Sequence, residues 1–147
     1  MKLSDHFSLD ELTLSQEAIR NKINNEPGVQ TLENLKFLAS QLEEVRSVLG
    51  NRAILISSGY RCATLNSLVG SKPTSAHIKG LAADFTCPSF GSVRDVVNTI
   101  IGSDIQYDQI IYEYGRWCHI GFAEKGKAPR LQKLTIDGKG TRVYTGE

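Results

Sequence analysis

Ser75-Ala76-His77-Ile78-Lys79-Gly80-Leu81-Ala82-Ala83-Asp84 is the stretch from which the rest of the chain can be interpreted, and Trp117-Cys118-His119 follows it further along. Two histidines and one aspartate are the ligand types of a hydrolytic zinc site, which keeps a water in its fourth position. Asp84 and His119 both lie in apolar runs. A carboxylate is costly to bury there unless it is paired or bound to a metal, so the two stretches together favour a metal site.

Taken singly, the three residues also have ordinary interpretations. His77 would be a solvent-exposed loop histidine, Asp84 a turn carboxylate, and His119 a core histidine with a local hydrogen-bond partner. Spacing alone leaves these interpretations and zinc equally open. The remaining histidine, His6, is left out of the site because we expect the N-terminal segment to fray.

The first third of the chain is predicted to be helical. Ser8-Leu9-Asp10-Glu11 has the form of a capping box, which predicts a short helix. A second one is expected from Ser15 to Ile23, before a turn cluster at residues 24–28. Apolar residues at steps of three and four then predict a long amphipathic helix that Gly50 ends. These residues are Leu32, Leu35, Leu38, Leu42, Val45 and Leu49.

The middle of the chain is predicted to alternate between strands and short helices. Residues 53–58 are an apolar run that predicts a buried strand, and residues 81–86 predict the next strand, which contains Asp84. Short helices are expected at residues 63–69 and after the cap residue Ser92. Residues 71–75 are expected to be a polar loop that leads into His77.

The last third is predicted to be β structure. Residues 107–114 and 116–122 indicate a hairpin around Gly115, with His119 on its second strand. A basic tail begins at Lys125, and residues 133–136 and 141–144 predict one more strand pair within it.

Helices followed by an antiparallel-leaning sheet are typical of an α+β fold. We therefore expect N-terminal helices packed on a small, mostly antiparallel sheet. The length of 147 residues suits one domain. We divide it into a helical part (1–50), a catalytic core (51–124) and a basic tail (125–147).

Composition narrows the range of partners. The formal net charge of +1 predicts no general attraction to nucleic acid. The sequence contains no run of about 18 apolar residues, so we expect no membrane span. Three cysteines without a CxxC pair argue against a disulfide scaffold or a structural zinc knuckle. The N-terminus lacks the apolar run of a secretory signal, so we expect a product that is cytoplasmic as synthesised, and a monomer.

Three motifs resemble the zinc D-Ala-D-Ala peptidase family, which has the hedgehog/DD-peptidase fold. They are Ser75-x-His77-x-x-Gly80-x-Ala82-x-Asp84, the preceding Ser58-Gly59-Tyr60-Arg61, and Trp117-x-His119. Its members are D-Ala-D-Ala carboxypeptidases and dipeptidases and phage L-alanyl-D-glutamate endopeptidases, all of which cut peptidoglycan stem peptides. The resemblance runs from about Leu3 to Phe122 and is greatest to the short, single-domain group common in phages and prophages.

The resemblance implies that His77, Asp84 and His119 bind Zn²⁺. It also implies a carboxylate that acts as general base, which several branches carry three residues before the last histidine. Arg116 stands in that position here, so this chain departs from the pattern.

Glu113 is therefore the predicted general base. It stands six residues before His119, as a glutamate does in the hedgehog fold, and a turn at Gly115 would bring it alongside the metal. Asp108 is the alternative; it would serve as the base or orient a ligand histidine.

Substrate contacts are predicted for three further residues. Arg61 is the expected substrate clamp, because arginine binds carboxylates in a bidentate manner and the family has an arginine at this place. Ser75 is expected to bond the substrate or position its loop, and Trp117 to form a groove wall or part of the core. Some branches carry a histidine where Trp117 stands, so Arg61 or Tyr112 would have to stabilise the developing oxyanion.

These features predict a zinc metallopeptidase that hydrolyses peptide bonds of peptidoglycan stem peptides, in phage or prophage cell-wall lysis. It would be a D-Ala-D-Ala carboxypeptidase or an L-Ala-D-Glu-type endopeptidase, and would reach the wall after release or as a virion component. The alternatives are a non-catalytic, zinc-stabilised binding module and a virion structural module on the same fold.

Overall fold

A computed structural model describes residues 1–146, which form six helices and six strands; Glu147, the last residue of the predicted tail, lies outside the described residues. The helices are α1 (Leu9–Thr13), α2 (Gln16–Arg20), α3 (Val29–Val48), α4 (Ala63–Leu68), α5 (Ala76–Lys79) and α6 (Val93–Ile101). The strands are β1 (Leu55–Ser58), β2 (Ala82–Thr86), β3 (Gln109–Glu113), β4 (Trp117–Gly121), β5 (Gln132–Asp137) and β6 (Gly140–Val143).

The six strands make one sheet in the order β1-β2-β4-β3-β5-β6. Every neighbouring pair is antiparallel except β3 and β5, which are parallel. The predicted α+β fold with a mostly antiparallel sheet is confirmed. Strands β2, β4 and β3 lie at its centre, and they carry two of the three predicted metal ligands and the predicted base.

The N-terminal helices form as their sequence signals predict. Ser8 caps α1 and makes the full capping box with Glu11. The second helix is shorter than expected and ends at Arg20, and Lys22 beyond it has a left-handed backbone with φ 55°. Four of the predicted apolar residues in the long helix α3 are completely buried, as is Leu49 just beyond its end, whereas Leu32 is only partly buried. None of the helices among residues 1–146 is sufficiently long and apolar to span a membrane.

Alternation along the central strands separates a core face from a polar face. Phe85, Ile110, Cys118 and Ile120 belong to one buried cluster with α3 and α6. Because successive side chains of a strand point to opposite faces, Asp84 and its neighbours of the same parity point away from this core. The polar site therefore develops on the other face of the sheet.

One local prediction is wrong and another is confirmed. Residues 53–58 were expected to be a buried strand, but β1 is an edge strand and Leu55 is 55% exposed, because no strand of residues 1–146 pairs with its outer side. The predicted loop at residues 71–75 is present, and it leads into the short helix α5, which contains His77 and which Ser75 caps by accepting the backbone N–H of His77.

The tail joins the sheet. Its strands β5 and β6 form the predicted pair, and β5 also pairs with β3, so that Ile111 lies opposite Leu134. The crossover to β5 is anchored at Asp108, whose carboxylate accepts hydrogen bonds from the backbone N–H of Arg130 at 3.0 Å and from its guanidinium at 2.8 Å.

We expect Asp108→Asn to loosen this crossover. The hydrogen bonds from Arg130 hold the pKa of Asp108 below its usual value. A lowered pKa contributes stability above the unfolded-state pKa, near 4, and loses it as pH falls through the folded-state pKa. At pH 7 the free energy of unfolding of the variant should therefore be lower than that of the wild type, by about 1 kcal/mol or less. The difference should shrink as the pH falls below about 4.

Urea unfolding at several pH values measures this difference, with Asp5→Asn, at an exposed position, as the control. A deficit of the same size at pH 3 would show that the ion pair is not its source.

Candidate metal centre

His77, Asp84 and His119 meet on the polar face of the sheet. One ligand atom from each lies within 4.8 Å of the other two. Oδ1 of Asp84 is 2.9 Å from Nδ1 of His119 and 3.3 Å from Nε2 of His77. Asp84 is 9% exposed, His119 is 7% exposed and His77 is 3% exposed. Zinc bonds of about 2.0–2.2 Å place tetrahedral ligand atoms roughly 3.3–3.6 Å apart, so this arrangement is close to that of a zinc site.

Local structure explains why these residues converge. Asp84 lies directly opposite His119 in the β2–β4 pair, so both point to the same face. His77 is brought to them by Gly80, which ends α5 with φ 74° and turns the chain into β2. A Cβ at Gly80 would lie 3.1 Å from the side chains of Thr31 and Leu35, so the turn also packs tightly against α3.

The hydrogen bonds around His77 and Asp84 suit a cation shared by these two residues. Nδ1 of His77 lies 2.7 Å from the carbonyl oxygen of Gly59, so this nitrogen carries the proton and donates it. Burial lowers the pKa of His77, which favours the neutral ring. Burial alone would raise the pKa of Asp84, but the hydrogen bond from His119 helps to hold it well below its usual value. A neutral ring with its proton on Nδ1 would turn the lone pair of Nε2 toward the carboxylate of Asp84, an arrangement in which both groups can bind one metal ion.

Gly59 is held in place by the end of α1. The backbone N–H of Tyr60 donates to the carbonyl oxygen of Leu12 at 2.7 Å. A Cβ at Gly59 would lie 2.4 Å from that same oxygen. The carbonyl that fixes the tautomer of His77 therefore depends on a close backbone approach that only glycine allows.

Gly59→Ala is expected to weaken both the fold and metal binding. The added methyl group must push the loop away from Leu12, which costs about 1–3 kcal/mol of unfolding free energy. The displaced carbonyl should lower zinc affinity by about 10–100-fold. Thermal unfolding and a zinc titration against a competing chelator measure the two effects.

Gly138→Ala is the matched control, because no atom of the part of the chain that the structure describes lies within 4 Å of the added Cβ there. A Gly59→Ala protein with normal zinc affinity would show that this carbonyl does not orient His77.

Glu113 lies beside the three predicted ligands. Its Oε1 is 4.0 Å from Nδ1 of His119. The hairpin turn that places it has positive φ at Tyr114 (54°) and Gly115 (64°), and Arg116 donates its backbone N–H to the carbonyl of Glu113 at 2.9 Å. This is a type I′ turn, which matches the twist of the flanking strands. Burial, with the charge of Asp84, raises the pKa of Glu113.

Two alternative predictions do not fit the structure. Asp108 is engaged by Arg130 at the crossover and is not part of the His77–Asp84–His119 group. Tyr112 lies next to Glu113 on β3 and so points to the other face, where its ring packs 5.7 Å from that of Tyr144. We therefore withdraw Asp108 as a base and Tyr112 as an oxyanion stabiliser.

Arg61 presents a partly buried positive charge to this site. Its Nε donates to Oδ1 of Asn66 at 3.2 Å and its Nη1 to Oγ of Ser58 at 3.3 Å. Burial lowers its pKa, while the charges of Asp84 and Glu113 act against that shift. Arg61 forms no direct ion pair with any described residue, so its guanidinium suits a substrate carboxylate.

Asn66 was not anticipated from the sequence. It is 1% exposed, and its amide also donates to the carbonyl of Lys72 at 2.9 Å. It therefore joins the guanidinium of Arg61 to the loop that precedes α5. No motif or spacing marks this asparagine, because its partners are set by the fold.

Ser75 and Trp117 have different surroundings. The hydroxyl of Ser75 accepts the backbone N–H of His77 at 3.2 Å, which fits the loop-positioning role among its two predicted ones. The ring of Trp117 packs 5.6 Å from that of Tyr114. Its Nε1 is buried without a hydrogen-bond partner among the described residues.

One comparison with known proteins identifies a match. A family model described as Peptidase M15 matches residues 5–121. The matched span runs from α1 to the end of β4 and contains every residue of the candidate centre, and it stops before β5 and β6. A search of curated proteins finds no match for this chain.

Proposed function

The chain belongs to the peptidase M15 family, and we propose on this premise that it is a zinc-dependent peptidase that hydrolyses peptide bonds in peptidoglycan stem peptides. One observation carries the proposal: ligand atoms of His77, Asp84 and His119 lie within 4.8 Å of one another. Two imidazole nitrogens and one carboxylate oxygen suit zinc and leave a position for a water.

The proposed mechanism divides the chemistry among three groups. Zinc bound by the three ligands would supply a Lewis acid and activate a water. Glu113 would accept a proton from the attacking water and pass it to the amine of the leaving peptide. Its half-buried position beside His119 and its raised pKa support this role, because a general base works best with a pKa near the working pH.

Arg61 would orient the substrate by binding a carboxylate near the scissile bond. Its guanidinium is held by Asn66 and Ser58 and has no ion-pair partner among the described residues. Trp117 would border the substrate groove together with Tyr114, whose ring is 51% exposed. Arg61 is also the remaining candidate to stabilise the developing oxyanion.

We extend the proposal to cell-wall lysis by a phage or prophage, with action on the wall after release from the cytoplasm or as a virion component. The resemblance of residues 3–122 to short, single-domain peptidases of that kind supports it. A D-Ala-D-Ala carboxypeptidase and an L-Ala-D-Glu-type endopeptidase both fit, because each substrate offers a carboxylate close to the bond for Arg61.

Digestion of purified muropeptides tests the proposal. Protein loaded with zinc, stripped by a chelator, and then reloaded is incubated with each substrate, and mass spectrometry of the fragments identifies the bond. Hydrolysis should disappear on stripping and return with zinc. Binding of muropeptides without any hydrolysis by the zinc-loaded protein would favour a non-catalytic binding module instead.

A further inference from the structure

We propose that Asn25 is a positioning residue for Arg61, because its side-chain amide fixes the backbone on both sides of the arginine and so sets where the guanidinium meets the substrate. The inference rests on the proposed function, in which Arg61 binds a substrate carboxylate. Asn25 lies in the turn between α2 and α3, well before the motifs that mark the site.

Three hydrogen bonds carry the inference. Nδ2 of Asn25 donates to the carbonyl of Tyr60 at 3.0 Å and to the carbonyl of Thr13 at 2.9 Å. Oδ1 of Asn25 accepts the backbone N–H of Cys62 at 2.8 Å. The peptide groups immediately before and after Arg61 are thus both bound to one side chain.

Only a primary amide meets these demands at this size. Two carbonyl oxygens require a donor with two hydrogens, and the N–H of Cys62 requires an acceptor on the same side chain. The assignment of nitrogen and oxygen follows from these partners. An aspartate of the same shape would keep the acceptor but turn a second oxygen toward two carbonyls.

The arginine is held from other directions as well. Its own backbone N–H donates to the carbonyl of His77 at 3.1 Å, which links it to a predicted metal ligand. Its guanidinium is held by Asn66 and Ser58. If Asn25 releases the backbone, the base of the side chain moves while its tip stays tethered, and small misplacements of a substrate-binding group cost up to about 100-fold in rate.

Kinetics on muropeptides provide the first test, with Asn25→Asp as the variant. We expect kcat/KM to fall by about 10–100-fold, and Arg61→Ala to fall further. The double variant should be no slower than Arg61→Ala, because Asn25 acts through the arginine. A substrate whose carboxylate is amidated should be cut equally slowly by the wild type and by Asn25→Asp.

Asn24→Asp is the matched control, because within residues 1–146 Oδ1 of Asn24 accepts only the nearby backbone N–H of Glu26, at 2.9 Å. It should retain the activity of the wild type. Two results would overturn the inference and leave Asn25 as a general stability residue. One is a double variant in which the two losses multiply. The other is an Asn25→Asp protein that is slower than the wild type on the amidated substrate by the same factor as on the normal substrate.

Nuclear magnetic resonance separates this inference from the proposed function. In Asn25→Asp, the amide of Cys62 should exchange faster with solvent and the Nε–H signal of Arg61 should shift, whereas Asn24→Asp should change neither. An unchanged Arg61 signal would overturn the inference, whether or not the protein proves to be a peptidase. A shifted signal in a protein that cuts no muropeptide would reject the proposed function alone.

Discussion

Replacing Asp84 by asparagine is expected to abolish hydrolysis and to lower zinc affinity by more than about 100-fold. Even residues that only orient a metal ligand cost about 10–100-fold when they are replaced, and Asp84 is the one anionic ligand of the predicted set. Its carboxylate lies between the two imidazoles, at 2.9 Å and 3.3 Å, so its charge acts on both. The amide has the same shape, so packing should change little.

Metal analysis after dialysis and a competitive zinc titration measure the loss, and unfolding of the metal-free proteins checks the fold. Asp104→Asn, at an exposed aspartate, is the control and should bind zinc normally. An Asp84→Asn protein that holds one zinc with the affinity of the wild type would show that the metal has a different set of ligands.

Glu113→Gln should separate catalysis from metal binding. The glutamine keeps the size of the side chain but cannot accept the proton, so kcat should fall by about 10²–10⁴-fold. Zinc content should stay at the level of the wild type, because the three ligands are unchanged. This pattern differs from that of Asp84→Asn, in which metal and activity are lost together.

Initial rates on a muropeptide, with zinc content measured on the same samples, give both quantities. Glu44→Gln on the exposed side of α3 is the control for loss of a negative charge. If Glu113→Gln kept more than about a tenth of the kcat of the wild type, another group would have to move the proton.

Local patterns predicted most of the fold. The apolar spacing that predicts α3 corresponds to residues that the helix buries completely, such as Leu38 and Leu42. The parallel contact between β3 and β5 was not predicted, because a strand pattern shows which face is apolar but not which distant strand will be its neighbour. The exposed position of β1 at the edge was missed for the same reason.

The candidate site was only partly predictable. The types of residues and the family resemblance pointed to His77, Asp84 and His119, which the structure brings together; their role as ligands and that of Glu113 as base stay predictions. The prediction that Tyr112 stabilises the oxyanion could have been avoided. Neighbours on a strand point to opposite faces, and Glu113 was already assigned to the site.

Some contacts that hold the site together could not be predicted from the sequence. Gly59 reaches His77 across 18 residues, and Asn25 reaches Cys62 across 37. Each of these contacts uses a backbone group on one side. Gly59 stands in the Ser58–Arg61 motif, but neither this motif nor any spacing shows which side chain a backbone group contacts, and only the folded chain shows it.

The partner of the His77 Nδ1 is a main-chain oxygen, and this limits what conventional mutagenesis can detect. An alanine scan leaves every peptide bond in place, so it would classify Leu12 and Tyr60 as ordinary packing positions. An ester introduced by chemical synthesis between residues 59 and 60 would weaken that oxygen as an acceptor and remove the Tyr60 N–H that donates to Leu12. A single-atom change in the backbone would then alter the metal affinity of a ring 18 positions away, with every side chain intact.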